Sequence, residues 1–206
     1  ENVNSNLKLS ISNKKIQVLL MFAGVFCCVA MSMPQVHIVP LCIDNGFGLA
    51  VGTEILSFML FAAVTSRVLF GFLSDKIGPI QTLILGSTLQ AISLSMFLPF
   101  NSQLSLYIVA ICFGLSQGGI VPIYAVIISK FLPENEVAER VGLLIFATIV
   151  GMSLGGWLSG EIYDYTNSYQ MAFLNGIFWN LINLLIMFYL FLKYKQSIKS
   201  VDKYEY

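Results

Sequence analysis

Six long apolar runs, at about 16–38, 48–73, 79–99, 104–130, 141–162 and 169–192, set the limits on what this chain can fold into. Each is long enough to cross the hydrocarbon core of a bilayer as a helix, which takes about 20 predominantly apolar residues. In lipid every backbone polar group needs a partner, so only helices and closed barrels span. Barrel strands run for about ten residues with alternating polarity, and a stretch such as Ile177 to Leu192 shows no such alternation. The expectation is an all-α polytopic membrane protein, a six-transmembrane-helix bundle over residues 16–192, with a linker at 1–15 and a tail at 193–206. Composition agrees. The chain is 57% hydrophobic and 11% charged, whereas a soluble domain carries about 45–50% apolar and about 25% charged residues.

The formal net charge is zero, but the placement of the charges is asymmetric. Lys8, Lys14 and Lys15 precede the first run, Lys76 lies between the second and third, and Lys130 and Arg140 flank the link from fourth to fifth. Lys193, Lys195, Lys199 and Lys203 follow the sixth. All fall on one side of a six-span path, while the opposite links hold Asp44 and Asp164 and no Lys or Arg. Basic residues concentrate in cytoplasmic loops, so both termini are expected to be cytoplasmic, and a bacterial inner membrane is the expected location. The polar stretch 1–15, starting at Glu1, lacks the apolar core and cleavage site of a signal peptide. It reads as an internal loop, so the chain is expected to be part of a longer protein.

The charge pattern suggests no nucleic-acid partner. Cys27, Cys28, Cys42 and Cys112 have none of the paired spacings of a zinc site and read as small buried packing residues. No metal or other cofactor is expected.

One basic residue does not fit the loops. Arg67 lies eight residues before Asp75 in the second run, about 12 Å deeper than the link at 1.5 Å per helical residue. An ionised side chain near the bilayer centre costs at least about 2.5 kcal/mol, so such residues usually face a water-filled cavity on a substrate or ion path. Its neighbours at three and four residues are Val64, Ala63, Phe70 and Gly71, none of them acidic. The choice is between snorkelling to the interface and binding an anion. A carboxylate suits the second reading, because the planar guanidinium can hold it through two hydrogen bonds.

The link Gly71-Phe72-Leu73-Ser74-Asp75-Lys76-Ile77-Gly78, followed by Pro79, resembles the G-x-x-S-D-R/K-x-G loop of the major facilitator superfamily. Pro133 through Arg140 and Gly142, then Gly151, Gly155, Gly156 and Gly160, is similar to that family's loop before span eleven and its glycine-rich helix. The same glycines also fit a small-residue packing face. Over about 16–192 the chain resembles spans seven to twelve of monocarboxylate-transporter-like and oxalate/formate-antiporter-like members. The resemblance implies half of a twelve-helix fold, with the N-terminal six helices in sequence not present here. It implies that Gly71, Ser74, Asp75, Lys76, Gly78 and Arg140 serve gating. It also implies that Arg67, four residues before Gly71, contacts the substrate carboxylate. Two departures matter. Ala63 stands where animal monocarboxylate transporters carry an Asp one turn before the arginine, and residues 141–162 lack the second cation of the oxalate exchanger. One cation favours a substrate with one carboxylate.

Further candidates for the substrate site are His37, Gln117 and Tyr124. His37 lies between Pro34 and Pro40, where missing backbone donors are expected to disrupt backbone pairing and open a cavity; it is a candidate for substrate or a proton, although a histidine at an interfacial helix end is more often a structural hydrogen bonder. Gln117 and Tyr124 bracket Gly118, Gly119 and Pro122, where a kink is expected to aim a hydroxyl at the anion. Glu54 is thirteen residues from Arg67, about 20 Å along a helix, too far to pair with it. Asn175, Asn180 and Asn183 are expected to bond neighbouring helices.

The function expected from these residues is secondary transport of small organic anions, most simply monocarboxylates, by alternating access with proton symport or anion exchange. An intramembrane enzyme needs a nucleophile and base or a metal cluster, and one His without clustered acids offers neither. The remaining alternative is a six-span receptor or assembly scaffold without transport.

Overall fold

The structure, a computed structural model, describes residues 11–99 and 102–202, with side chains as far as Ser197. Lys8, Lys203 and the side chain of Lys199, used above for orientation, lie outside the described residues, as do the first ten residues of the linker and residues 203–206 of the tail.

The described residues form seven α-helices: α1 (Asn13–Asp44), α2 (Gly48–Ile77), α3 (Pro79–Met96), α4 (Gln103–Gln117), α5 (Ile120–Phe131), α6 (Val137–Thr166) and α7 (Tyr169–Asp202). A 3-10 turn, Glu134–Glu136, leads into α6. Helices α4 and α5 are two parts of one candidate span, Gln103–Phe131. Most helices outrun their apolar stretches, because hydropathy registers the lipid-facing length while backbone pairing continues into the polar zone.

Contacts fix which ends lie together. The Gln17 side chain donates to the Arg140 carbonyl at 3.1 Å, and Phe131 meets Tyr194 edge-on, so the start of α1, the α5–α6 link and the end of α7 share one end. At the other, Tyr163 hydrogen-bonds Asp44, Tyr163 stacks on Tyr169 with centroids 4.2 Å apart, and Tyr107 donates to Glu54 at 2.7 Å. The basic residues gather at the first end and these tyrosine–carboxylate pairs at the second.

Five spans are long and apolar enough to cross a membrane among the described residues, and α3 is not one of them. Its 18 residues include Gln81, Thr82, Ser87, Thr88, Gln90, Ser93 and Ser95, which lower its hydropathy below the level of its neighbours. The expected third crossing thus differs from the rest: it carries more hydroxyls and amides, with one face buried in the bundle and Leu85, Leu89 and Ile92 exposed on the other. Thr82, Thr88, Ser93 and Ser95 each bond the carbonyl four residues back, and Ser87 and Gln90 bond neighbouring helices. Lipid therefore meets few unanswered polar groups along it.

Two glycine pairs set the packing. Were Gly114 or Gly118 given a Cβ, it would lie 2.2 Å from the Met59 carbonyl oxygen or 2.1 Å from that of Ala63, so α4 rests directly on the α2 backbone. Gly151 and Gly155 do the same for α6 on α1, with 2.5 Å to the Val25 oxygen and 2.3 Å to the Val29 oxygen. Small residues four apart permit this approach in lipid. Between α2 and α3 the chain turns on Gly78 alone, at φ +90°, with Pro79 opening the next helix. That φ suits glycine, and Pro is well placed at the first helical position.

Helix α1 runs continuously through Pro34 and Pro40, and Pro34 is packed into the core, where neighbouring helices can answer the backbone groups that a proline leaves free.

Candidate functional site

A recess of about 340 Å³ opens where four spans meet. Met31 and Gln35 come from α1, Leu60, Ala63, Val64 and Arg67 from α2, Gln117, Gly118 and Val121 from the α4–α5 break, and Thr148 and Met152 from α6. Helices α3 and α7 contribute nothing to its wall. The glycine seams bring the four lining spans this close: Gly118 touches Ala63 within the recess itself.

The recess is apolar apart from a few convergent groups. Arg67 is exposed into it and forms no ion pair or hydrogen bond among the described residues, where the one salt bridge is Arg140 with Glu136. Gln35 Nε2 donates to Gln117 Oε1 at 2.9 Å, which fixes the Gln117 carboxamide. Its other end is then left over: Gln117 is 1% exposed and its Nε2 has no partner. Thr148 spends its proton on the Ile145 carbonyl at 2.7 Å and keeps its lone pairs. No Asp or Glu lines the recess. A positive charge and an unanswered buried N–H in an apolar hollow suit an anion with an apolar body, since a buried donor left unpaired costs about 1–3 kcal/mol until something accepts from it. A larger hollow of about 540 Å³ beside Glu54, Ser57, Phe58 and Phe61 has the wrong charge for that purpose.

Of the four substrate-site candidates, Arg67 and Gln117 come together in the recess, and Tyr124 and His37 do not. Tyr124 is fully buried and its hydroxyl donates to Asn183 Oδ1 at 2.7 Å, on α7. The kink expected at Gly118–Gly119 is present, but beyond it the hydroxyl points away from the recess, into the bundle. His37 lies near the far end of α1, where its Nε2 is 3.0 Å from the Gly156 carbonyl and its ring tilts against Tyr169. That is the structural bond the sequence also allowed. Asn180 and Asn183 bond α3 through Ser87, as expected of the last span, whereas Asn175 accepts only from Trp179 one turn on, at 3.1 Å.

The gating candidates occupy the basic end. Gly71 to Ile77 is helical, the last two turns of α2, and only Gly78 leaves the helix. Ser74 is buried and its carbonyl caps Gly78 at 3.0 Å, while Asp75 and Lys76 are exposed. Arg140, in the first turn of α6, donates from Nε to Glu136 at 2.8 Å, so it is engaged with the 3-10 turn just before its own helix. Neither Gly71 nor Gly142 has an atom within 4 Å of where a Cβ would sit.

Gln35, which lines the recess, and Ser66, which is buried beside it, escaped the sequence. Gln35 was visible only as part of the proline-bracketed segment, and nothing local marked it as the partner of a residue 82 positions on. Ser66, next to Arg67, gives no sequence signal; its role depends on a contact with the α4–α5 break.

The sequence pattern of the Major Facilitator Superfamily matches residues 18–204. The chain is 29% identical over 143 residues to monocarboxylate transporter 13 of Rattus norvegicus, a match covering 68% of this chain and 33% of that protein. It is 29% identical over 168 residues to the MFS-type transporter opdF of Penicillium oxalicum, covering 77% and 40%. The uncharacterized MFS-type transporter YhjX of Escherichia coli is 24% identical over 92 residues, covering 44% and 23%. The chain thus spans about a third of the length of the first of these relatives. Family and relatives are transporters rather than enzymes. Drawn from mammals, fungi and a bacterium, the relatives support placement in a membrane without favouring the bacterial inner membrane expected from the sequence.

Proposed function

The chain belongs to the Major Facilitator Superfamily, and from that premise we propose that it is the C-terminal half of a secondary transporter of small monocarboxylates, with Arg67 holding the carboxylate. The observation that carries this is the combination of an unpaired Arg67 with the unanswered Nε2 of Gln117 in one recess that contains no acid. A guanidinium gives a carboxylate two parallel bonds, and Gln117 adds a third donor. The apolar walls from Leu60, Val64, Val121 and Met152 suit a short hydrocarbon body. One cation favours one carboxylate over two.

In this reading the recess is half of a midplane site completed by six further helices, and two bundles rock around it. The basic end faces the cytoplasm. Gly71 through Gly78 and the Arg140 loop then lie on the cytoplasmic side, where they control closure and do not touch substrate. Symport with a proton would make each cycle electroneutral, as would one-for-one anion exchange.

The test is flux into proteoliposomes by the complete protein. Carboxylate uptake that survives Arg67→Lys at wild-type affinity would sink the site assignment. Uptake driven by an inward proton gradient without a counter-anion assigns symport, and uptake that requires internal carboxylate assigns exchange. Asp75→Asn is expected to change turnover and leave affinity nearly constant; a change in affinity alone would remove the gating role.

A further inference from the structure

The broken span and the helix of Arg67 meet at one hydroxyl. Ser66 is fully buried. Its Oγ donates to the Leu115 carbonyl at 2.6 Å and accepts from the Gly119 N–H at 3.2 Å. In an unbroken helix those two backbone groups would bond each other, residue i to residue i−4. Up to that point the ladder is intact, with Gly118 N–H on the Gly114 carbonyl at 3.1 Å, and it resumes with Ile123 N–H on the Gly119 carbonyl at 3.4 Å. The Ile120 and Val121 N–H groups do not reach back to α4 carbonyls either, so several links stand open and Ser66 is inserted into the first of them; an inserted side chain is a recognised cause of a sharp bend. Pro122 removes a further link permanently, since it has no N–H to offer the Gly118 carbonyl. The link at Gly119 is the one that a side chain from α2 holds open.

Gln117 lies midway between the two backbone groups that Ser66 holds, and Arg67 is the next residue along α2. Gly118, between them, rests on the Ala63 backbone with no side chain to cushion the contact. We propose that Ser66 is a positioning residue that sets the bend of α4–α5 so that Gln117 Nε2 and the Arg67 guanidinium converge on one bound anion. This inference rests on reading the recess as an anion site. The chemistry separates it from ordinary glue. Removing the hydroxyl orphans nothing, because the Leu115 carbonyl and the Gly119 N–H can close on each other. What is lost is the hold of α2 on the first opened link, and with it the place of Gln117.

The experiment uses the purified complete protein and its Ser66→Ala variant. Thermal stability is titrated with sodium acetate, propionate, lactate and pyruvate, and amide hydrogen exchange is followed at Gly119. The expected result is an unchanged melting temperature without ligand and a protected Gly119 amide in both proteins. Affinity for the stabilising carboxylate should be weaker by about tenfold in Ser66→Ala, the effect of one displaced hydrogen bond, with Ser66→Thr close to wild type. Wild-type affinity in Ser66→Ala would overturn the proposal, and so would failure of that variant to fold or rapid exchange at Gly119, either of which would make the hydroxyl a structural bond. If no carboxylate stabilises the wild type, the anion site itself fails and the role of Ser66 in it fails too. The Gly119 exchange then separates that case from one in which the ladder argument alone is wrong.

Discussion

Two polar groups of side chains lie inside this bundle, and they are built in opposite ways. In one, Ser87 and Gln90 of α3 meet Cys27, Tyr124, Asn180 and Asn183. Tyr124 donates to Asn183, Asn183 to Ser87 Oγ at 2.9 Å, Asn180 to the Ser87 carbonyl at 2.9 Å, and Gln90 and Cys27 exchange bonds at 3.4 Å. All are neutral, all but Ser87 and Gln90 come from other helices, and none has an unpartnered side-chain atom. In the other, Arg67, Gln35 and Gln117 leave a charge and a donor unanswered. The first group is complete without any ligand and holds α3, α5 and α7 together. The second, in the function proposed above, is completed by an anion. In a medium that penalises unpaired polar groups, what is left open is more informative about function than what is polar.

The comparison breaks most readily at Arg67. Arg67→Lys keeps the charge and loses the fork; we expect affinity for carboxylate in the complete protein to fall by about 10- to 100-fold with normal membrane insertion, read by flux and by yield in detergent. Gln117→Leu removes the third donor together with the bond from Gln35, and a fall of about tenfold is expected, in affinity rather than turnover. The closed group should respond in the other currency. Asn183→Leu strands the Tyr124 hydroxyl and the Ser87 side chain, so stability should drop by about 1–2 kcal/mol in a denaturation assay, while affinity stays within twofold of about its wild-type value. Smallest is Tyr124→Phe, about 0.6 kcal/mol of stability and no change in affinity. A clear loss of affinity in Tyr124→Phe would mean that the two groups are coupled and that the division drawn between them is false.

How much of this was legible in the sequence depended on the range of each interaction. Arg67 stood out because a single charge among apolar neighbours is expensive wherever the helix goes. The break at Gly118–Gly119 was legible because Gly, Gly and Pro act on their own backbone. Tyr124 was not. Seven residues beyond Gln117 it shares a face with it only on a continuous helix, and the break that sequence foresaw is what gives the hydroxyl to α7 instead. Gln35 and Ser66 were silent because their partners lie 82 and 49 residues away. The polar character of α3 was in plain view, but only the bundle shows that its hydroxyls and amides are answered from within.

The single-residue turn at Gly78 has a mechanical consequence. Six or more residues between two helices would behave as a slack tether, letting each move alone. Here α2 ends at Ile77 and α3 begins at Pro79, so the pair is joined as an elbow with one pivot and no play. Asp75 and Lys76 therefore stand on the same rod as Ser66 and Arg67, one residue's pivot away from the foot of α3.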